Sequence, residues 1–404
     1  MTRTVEIIGM GHAGHGVTAD GIFVPYTVPG DVVRIAPSGI HARLQEVLTP
    51  GTSRTSPACR HFGTCGGCAL QMMRNDAYLA WKRGLVITAL NQRGFGDPPV
   101  EEMIAIPPGT RRRAIIKARK LATGVAAGFY EADSHRLVDI QECPVLVPAL
   151  AGLLEPIKTG LAEILAQGEQ ADLHATASDT GVDLSLKLAR RREPDLLMEL
   201  SRFAAGLKLA RLCWNGEPVV VNRAPQIQIG RFSVSLPPES FLQPSKEGQR
   251  VLQQLATVAG RSARHIADLF CGCGSFTFVF AETALVSAFD SSAAQIEALR
   301  EAARPSRGKV QAEIRDLFRQ PLLPGEFDRF DAVLLDPPRA GAMAQARNLA
   351  QSAVPSITYV SCNPASFARD ARILCDGGYR LDRVVPVDQF LWSPHVELFA
   401  HFTR

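Results

Sequence analysis

The sequence predicts an α/β protein in three parts: a doubly wound, Rossmann-like domain at the C-terminus, a small OB-like β-barrel at the N-terminus, and a β-rich domain between them. Three observations carry this. From about Val251, compact apolar segments (HIADLFC, LVSAFD, KVQAEIRD, FDAVLLD, SITYVSC) alternate with helix-like stretches such as SAAQIEALREAAR and ASFARDARILCDGG. Apolar strands separated by helices are what a parallel sheet covered on both faces requires. Residues 1–52 read instead as short strands punctuated by Gly21, Pro29, Gly30 and Pro37, at the spacing of a small barrel. Between them, residues 53–238 hold two hairpin signals, one around Asp179-Thr180-Gly181 and one around Asn215-Gly216, with a helix expected over PDLLMELSRFAAG. The last part is taken as residues 239–404. A further helix is expected over about 75–92, close enough to the first boundary to pack on the C-terminal domain.

Length and composition set outer limits. A chain of 404 residues, 46% hydrophobic and 21% charged, can build several ordinary globular cores. It shows no apolar run long enough to span a bilayer and no signal-peptide core in MTRTVEIIGMGHAG, so a cytoplasmic, non-membrane protein is expected, with its nine cysteines reduced. No oligomer signal appears, and a monomer is expected. The net charge of +4 decides nothing, but RRRAIIKARK, from Arg111 to Lys120, carries six positive charges and no acid. It reads as a phosphate-contacting surface or as a solvated strand face.

In a doubly wound sheet, ligands bind outside the carboxyl ends of the strands. DLFCGCGSF places Gly272 and Gly274 at such an end, where the missing Cβ atoms let a ligand approach the backbone. The next strand ends in Asp290, and Asp316 and Asp336 end the two after it. Carboxylates without a basic partner or a third glycine suit S-adenosylmethionine, which has ribose hydroxyls and a cationic sulfonium but no pyrophosphate, better than a dinucleotide. DPPRAG follows Asp336 as a stiff extended exit. In YVSCNP, Cys362 stands directly before a helix start, Asn363 as N-cap and Pro364 in the first turn. The helix dipole there is expected to favour thiolate.

Together, DPPRAG, YVSCNP and the terminal WSPHVELFAHF resemble the RNA (uracil-5-)-methyltransferase family, and the resemblance extends over nearly the whole chain. The first fifty residues look like its RNA-binding TRAM barrel, CRHFGTCGGCALQ and VDIQECPVL like its iron–sulfur segment, and FLQPS like its first cofactor-contacting motif. The resemblance implies a class I methyltransferase domain that uses S-adenosylmethionine to methylate carbon 5 of a uridine in structured RNA. Cys362 would be the nucleophile and Glu397 the base, with Gln243, Phe270, Ser275, Asp290, Asp316 and Asp336 around the donor and the target base. Ser275 and Asp290 depart from the more frequent Asn and Glu of that family, which leaves their individual contacts open.

Carbon 5 of uracil is too weak a nucleophile to attack a methyl sulfonium; addition of a thiolate at carbon 6 makes it an enolate that can. A base must later remove the carbon-5 proton so that the thiol can leave. His395 is a rival for that role, and the choice of Glu397 rests on the resemblance. Cys59, Cys65 and Cys68, spaced C-x5-C-x2-C, with Cys143 arriving later, make four thiols for zinc or a [4Fe–4S] cluster. Gly66-Gly67 favour the bulkier cluster, and a closed four-ligand cage points to a structural role. The expected partner is RNA, 23S rRNA in the first place because a TRAM barrel is commoner among the ribosomal members. A transfer-RNA T-loop enzyme is the alternative. A non-catalytic iron–sulfur RNA-binding protein is the reading from another class, opposed by the joint presence of Cys362 and Glu397.

Overall fold

A closed barrel opens the chain, built from β1 (Arg3–Met10), β2 (Gly16–Thr18), β3 (Phe23–Val24), β4 (Val32–Ser38) and β5 (His41–Thr49) in the order β1-β2-β3-β5-β4. The computed structural model describes residues 2–191 and 193–404. Ile7, Val24, Val33, Ile35 and Ala42 fill the barrel. Its buried Asp31 accepts from Arg54 and from the Val28 and Gly51 amides, which anchors the exit strand.

The helix α1 (Asn75–Asn91) and the short strand β6 (Ile104–Ala105) come next in sequence but belong to the C-terminal domain in space. Val86, Leu90, Val100 and Met103 share one buried cluster with the C-terminal sheet, and β6 pairs with that sheet's edge strand. A boundary drawn along the chain near residue 53 therefore does not coincide with the packing.

The middle of the chain forms a seven-stranded sheet from β7 (Arg113–Leu121), β8 (Gly124–Tyr130), β9 (Leu137–Asp139), β10 (Gln170–Ser178), β11 (Gly181–Lys187), β12 (Arg211–Trp214) and β13 (Glu217–Val221), in the order β13-β12-β11-β10-β7-β8-β9. The helices α2 (Pro148–Ala151), α3 (Leu154–Ile164) and α4 (Pro194–Gly206) contribute to its core. Both sequence-predicted hairpins form. Asn215 and Gly216 have φ of 52° and 88°, the pair of left-handed residues that a tight hairpin turn requires. A two-stranded ribbon, β14 (Gln226–Ile229) and β15 (Phe232–Ser235), leads into the last domain.

That domain adds α5 (Lys246–Ala259), β16 (His265–Leu269), α6 (Thr277–Phe280), β17 (Leu285–Asp290), α7 (Ala293–Ala303), β18 (Val310–Ile314), β19 (Ala332–Leu335), α8 (Met343–Ala350), β20 (Ser356–Ser361), α9 (Pro364–Asp376), β21 (Arg380–Asp388) and β22 (Glu397–Thr403). The strand order β18-β17-β16-β19-β20-β22-β21-β6 reverses direction between β16 and β19, the switch point at which doubly wound sheets open a crevice. From β16 to β20 the strands are parallel, whereas β22 runs antiparallel to β20. The N-terminus of β22 therefore lies at the carboxyl end of its neighbour.

Candidate active site

Antiparallel register brings the thiol and the carboxylate together. Ser361, the last residue of β20, pairs with Leu398, so Cys362 leaves the strand beside the start of β22, and it lines one cavity with Glu397 within electrostatic reach. On the other side of β20, Leu335 of the parallel β19 pairs with Tyr359, which carries Asp336 to the same edge. The Gly272–Gly274 turn after β16 completes the rim, with φ of 54° and 89°. At Gly274 a Cβ would stand 2.7 Å from the Phe278 ring, so both conformation and space demand glycine there.

These ends enclose a cavity of about 710 Å³, large enough for a nucleoside-sized ligand and a base. Gln243, Phe270, Ser275, Asp290, Asp316, Asp336, Cys362 and Glu397, all expected from the sequence, line it. His395 does not: it is exposed, its ring against Phe390. Asp290 uses both oxygens to hold the backbone around the glycines, accepting from Gly272 N at 3.0 Å and Ser292 N at 2.9 Å. Phe270 has φ of +64° and meets the Phe318 ring at 5.4 Å, giving the cavity an aromatic wall.

The cavity is lined by acids and arginines, and its buried acids are held back from ionising. Glu397 is 3% exposed, and burial, reinforced by the Asp336 carboxylate, raises its pKa well above the ordinary value. Asp336 is pushed up to about 7 by burial and by Asp268, and Asp268 itself to about 7 by burial. One oxygen of Asp268 accepts from Thr277 at 2.6 Å, while the other is buried with no partner. Buried acids that resist ionising are suited to a cationic guest, as a sulfonium is.

Cys362 corrects an expectation. The helix after it forms as foreseen, with Asn363 accepting from the Ala365 amide at 3.1 Å. The thiol is nonetheless raised to about 11, by burial first and then by Glu397 and Asp336, with Arg339 opposing. Two nearby acids and a dry site outweigh one helix terminus in the ligand-free chain.

The arginine run is also corrected. Arg112 is buried and donates to the Gln243 carbonyl at 2.9 Å and to Gln249, while Arg113 donates to the Leu242 carbonyl at 2.8 Å. Arg112 and Arg113 hold FLQPS in place, and of the three only Arg112 is withdrawn from solvent, Arg111 and Arg113 being half-buried and lining the cavity. Further on, Lys117 pairs with Asp172. Sequence reasoning missed Gln389, whose amide joins Gln243 and Glu397 at 2.8 Å each. It stands in no motif, and only the fold reveals it.

Cys59, Cys65, Cys68 and Cys143 come within electrostatic reach of one another. Gly66 N donates to Tyr130 O, and a Cβ on Gly66 would stand 2.7 Å from the Ala132 nitrogen, so the loop lies tight against β8. Burial raises Cys65, Cys68 (to about 12) and Cys143, so without a counter-cation these thiols are neutral. Among the described residues, no group of three or more His, Cys, Asp or Glu side chains is disposed to hold a metal ion. No helix among them is long and apolar enough to cross a membrane.

The fold, with a cavity at the switch point of its sheet, defines a class of protein: a doubly wound α/β protein with a ligand site at the carboxyl ends of its strands. Comparison with known proteins narrows it. Residues 309–404 match the model of a family described as tRNA (Uracil-5-)-methyltransferase. An uncharacterized RNA methyltransferase of Brucella suis is 42% identical over 99% of this chain and 97% of its own, and one of Caulobacter vibrioides 42% over 99% of both. The 23S rRNA (uracil(1939)-C(5))-methyltransferase RlmD of Halomonas elongata is 33% identical over 98% of this chain and 88% of its own. The crystal structure of Pyrococcus abyssi tRNA (uracil-54, C5)-methyltransferase in complex with S-adenosyl-L-homocysteine has the same fold, with a TM-score of 0.79 at 23% identity over 99% of both chains. The chain belongs to the S-adenosylmethionine-dependent RNA (uracil-5-)-methyltransferase family.

Proposed function

We propose that the chain methylates uridine through a covalent adduct on Cys362, with Glu397 as the base. The observation that carries this is that Cys362 and Glu397, within electrostatic reach of each other, line one cavity with the glycine turn after β16. When bound, the donor supplies an electrophilic methyl group and a positive charge. Asp336 and Glu397, which hold the Cys362 thiol protonated, would be offset by a positive charge bound in the cavity. The Cys362 thiol gives up its proton to solvent, and the thiolate adds to carbon 6 of the uracil, forming an S–C bond and placing the electron pair on carbon 5. Carbon 5 takes the methyl group as the sulfonium–methyl bond breaks. Glu397 removes the carbon-5 proton, the ring double bond re-forms, and the carbon–sulfur bond breaks to release the thiolate. A buried carboxylate with a raised pKa is a stronger base than an ordinary one, which suits that step.

Gln243, Phe270, Ser275, Asp290, Asp316 and Asp336 would contact the donor or orient the base, Asp290 at the ribose hydroxyls. RNA carrying 5-fluorouracil at the target should trap a complex with the wild-type chain, because fluorine cannot leave as a proton. An adduct that persists in Cys362→Ala would remove the assignment.

For the RNA we take a transfer-RNA T-loop as the first reading, in place of the 23S rRNA expected from the sequence. The matched family model carries a transfer-RNA description, and the Pyrococcus enzyme that shares the fold acts on transfer RNA. The ribosomal reading is the second, supported by the Halomonas relative. Mass-spectrometric mapping of 5-methyluridine in both RNAs from a deletion strain decides between them. Under either reading a cytoplasmic location follows from the substrate.

Cys59, Cys65, Cys68 and Cys143 would hold a structural [4Fe–4S] cluster, zinc being the other candidate. The mutual electrostatic reach of the four thiols supports this reading, since a resident cationic group would hold them as thiolates. Iron and acid-labile sulfide in anaerobically purified protein would bear this out. Stoichiometric zinc, or neither metal, would end it.

A further inference from the structure

Between β21 and β22 the chain makes one loop, from Gln389 to Val396, and Glu397 is the residue at which it ends. Val387 pairs with Glu397, so the loop closes at the carboxylate itself. From within, Gln389 donates to Glu397 Oε2 at 2.8 Å, and Phe390 lines the cavity. Whatever fixes this loop therefore fixes Glu397 at the cavity wall.

The loop is held from behind by much earlier parts of the chain. Trp392, near its middle, has φ of +56°, a left-handed conformation that a bulky residue adopts only under constraint. Its carbonyl accepts from Ala69 N at 2.8 Å and from Leu70 N at 3.2 Å. Its amide donates at 2.8 Å to the hydroxyl of Tyr78, 314 positions earlier. Leu391 and Trp392 pack onto a buried cluster of Val28, Leu70, Met72, Met73 and Tyr78.

Tyr78 is the hub of these contacts. It is 1% exposed, and its hydroxyl has one proton and two lone pairs. The proton goes to Asp388 Oδ1 at 3.0 Å, and the lone pairs take the Trp392 amide and, at 2.9 Å, Lys82 Nζ. Lys82 Nζ also reaches the Phe390 carbonyl at 3.1 Å. Two residues one turn apart on α1 thus hold the residue before the loop, the Phe390 carbonyl and the Trp392 amide. Stability alone does not call for this arrangement. Asp388 Oδ2 is buried without a partner, and apolar side chains of similar volume would pack as well as a buried Lys–Asp pair. What directed hydrogen bonds add is a single position for the loop.

We propose that Tyr78 is a positioning residue for proton removal: from α1 it locks the Trp392 corner, and through the loop it sets Glu397 where the carbon-5 proton must be taken. This rests on the reading above that Glu397 is the base and Cys362 the nucleophile. In that step the proton passes from carbon 5 to the Glu397 carboxylate, the ring double bond re-forms and the carbon–sulfur bond breaks. A base works only within hydrogen-bond reach of the proton it takes, whereas thiolate addition and methyl transfer come before it is needed. A displaced loop should therefore slow the last step and spare the earlier ones.

The test uses the full chain and total RNA from the deletion strain, which carries the target unmethylated. Tyr78→Phe keeps the ring in its apolar cluster and removes all three hydrogen bonds. Methyl transfer in a single turnover should stay within about threefold of wild type. Steady-state kcat should fall at least tenfold, and methylated RNA should stay on the protein through a denaturing gel. Melting temperature and S-adenosylhomocysteine affinity verify the fold. A role in packing alone would slow both steps alike and trap no RNA; that result, or an unchanged kcat, overturns the proposal. If Tyr78→Phe does not fold, Lys82→Met combined with Asp388→Leu, which frees the Phe390 carbonyl and leaves no charge unpaired, should trap RNA in the same way, and its failure to do so is equally fatal. A wild-type chain that forms no complex with 5-fluorouracil RNA, or a Glu397→Gln chain that traps no ordinary RNA, removes the covalent reading itself, and this inference with it. That outcome is distinct from an active wild type whose Tyr78→Phe variant turns over normally.

Discussion

Lys82 and Asp388, 306 positions apart in the chain, meet with Nζ 2.5 Å from Oδ1 and side chains no more than 1% exposed. Tyr78 accepts from Lys82 at 2.9 Å, donates to Asp388 at 3.0 Å and accepts from the Trp392 amide at 2.8 Å. The knot ties α1 to the end of β21, one residue before Gln389. Removing one charge strands the other in a dry site. Lys82→Met should therefore cost about 3–5 kcal/mol in urea unfolding. Lys82→Met combined with Asp388→Leu should recover most of that, because no charge is then left unpaired.

Glu397→Gln keeps the shape and the contact with Gln389 but cannot take the carbon-5 proton. Cys362 should still add to the ring and methyl transfer should still occur once. Turnover should drop by about 10²–10⁴-fold, and methylated RNA should stay bound to the protein through a denaturing gel. A variant that turns over normally would place the base elsewhere.

The pH dependence follows from Asp268 and Asp336, both raised to about 7 from the free value of 3.8. Because the folded, ligand-free chain holds these protons more tightly than the unfolded chain, their stabilising contribution is complete below about pH 4 and fades as pH climbs to 7. A cationic donor reverses the preference, since it favours the ionised acids. Affinity for S-adenosylmethionine should therefore rise severalfold from pH 6 to pH 8, and affinity for the uncharged thioether S-adenosylhomocysteine much less. Calorimetric titration at both pH values checks the sign.

Two glycines should respond in opposite directions to alanine. Gly274 has φ of +89° and a would-be Cβ 2.7 Å from Phe278. Gly274→Ala should lose about 1–3 kcal/mol and weaken donor binding. Gly84 lies within α1 with nothing within 4 Å of its would-be Cβ. Gly84→Ala should gain about 0.4–1 kcal/mol through the unfolded state and leave methylation unchanged. Thermal melts of the two proteins make the comparison.

The parts legible in the sequence are those written in local pattern. The five parallel strands, the turn at Asn215-Gly216 and the cap at Asn363 follow from hydrophobic runs and backbone preferences that act within a few residues. The eight expected cavity residues sit at strand ends or in FLQPS, where a doubly wound sheet must bind its ligand. Three things were not legible. The arginine run reads as a surface, yet Arg112 turns inward because FLQPS supplies a carbonyl for it. Helix-terminus logic made Cys362 an easy thiolate, but Glu397 and Asp336, brought close by the fold, oppose it. Gln389 belongs to no motif, and its partners Gln243 and Glu397 are 146 and 8 positions away.

By itself, then, the order of residues determined which strands and helices form and which side chains reach the ligand edge of the sheet, because short-range sterics and the burial of apolar faces settle those matters. Only the tertiary structure decided the state of that edge: that acids crowd a thiol, that one amide joins Gln243 and Glu397, and that α1 buttresses the loop behind it. Protonation and hydrogen-bond direction depend on burial and on neighbours distant in the chain, and these exist only after the strands have paired.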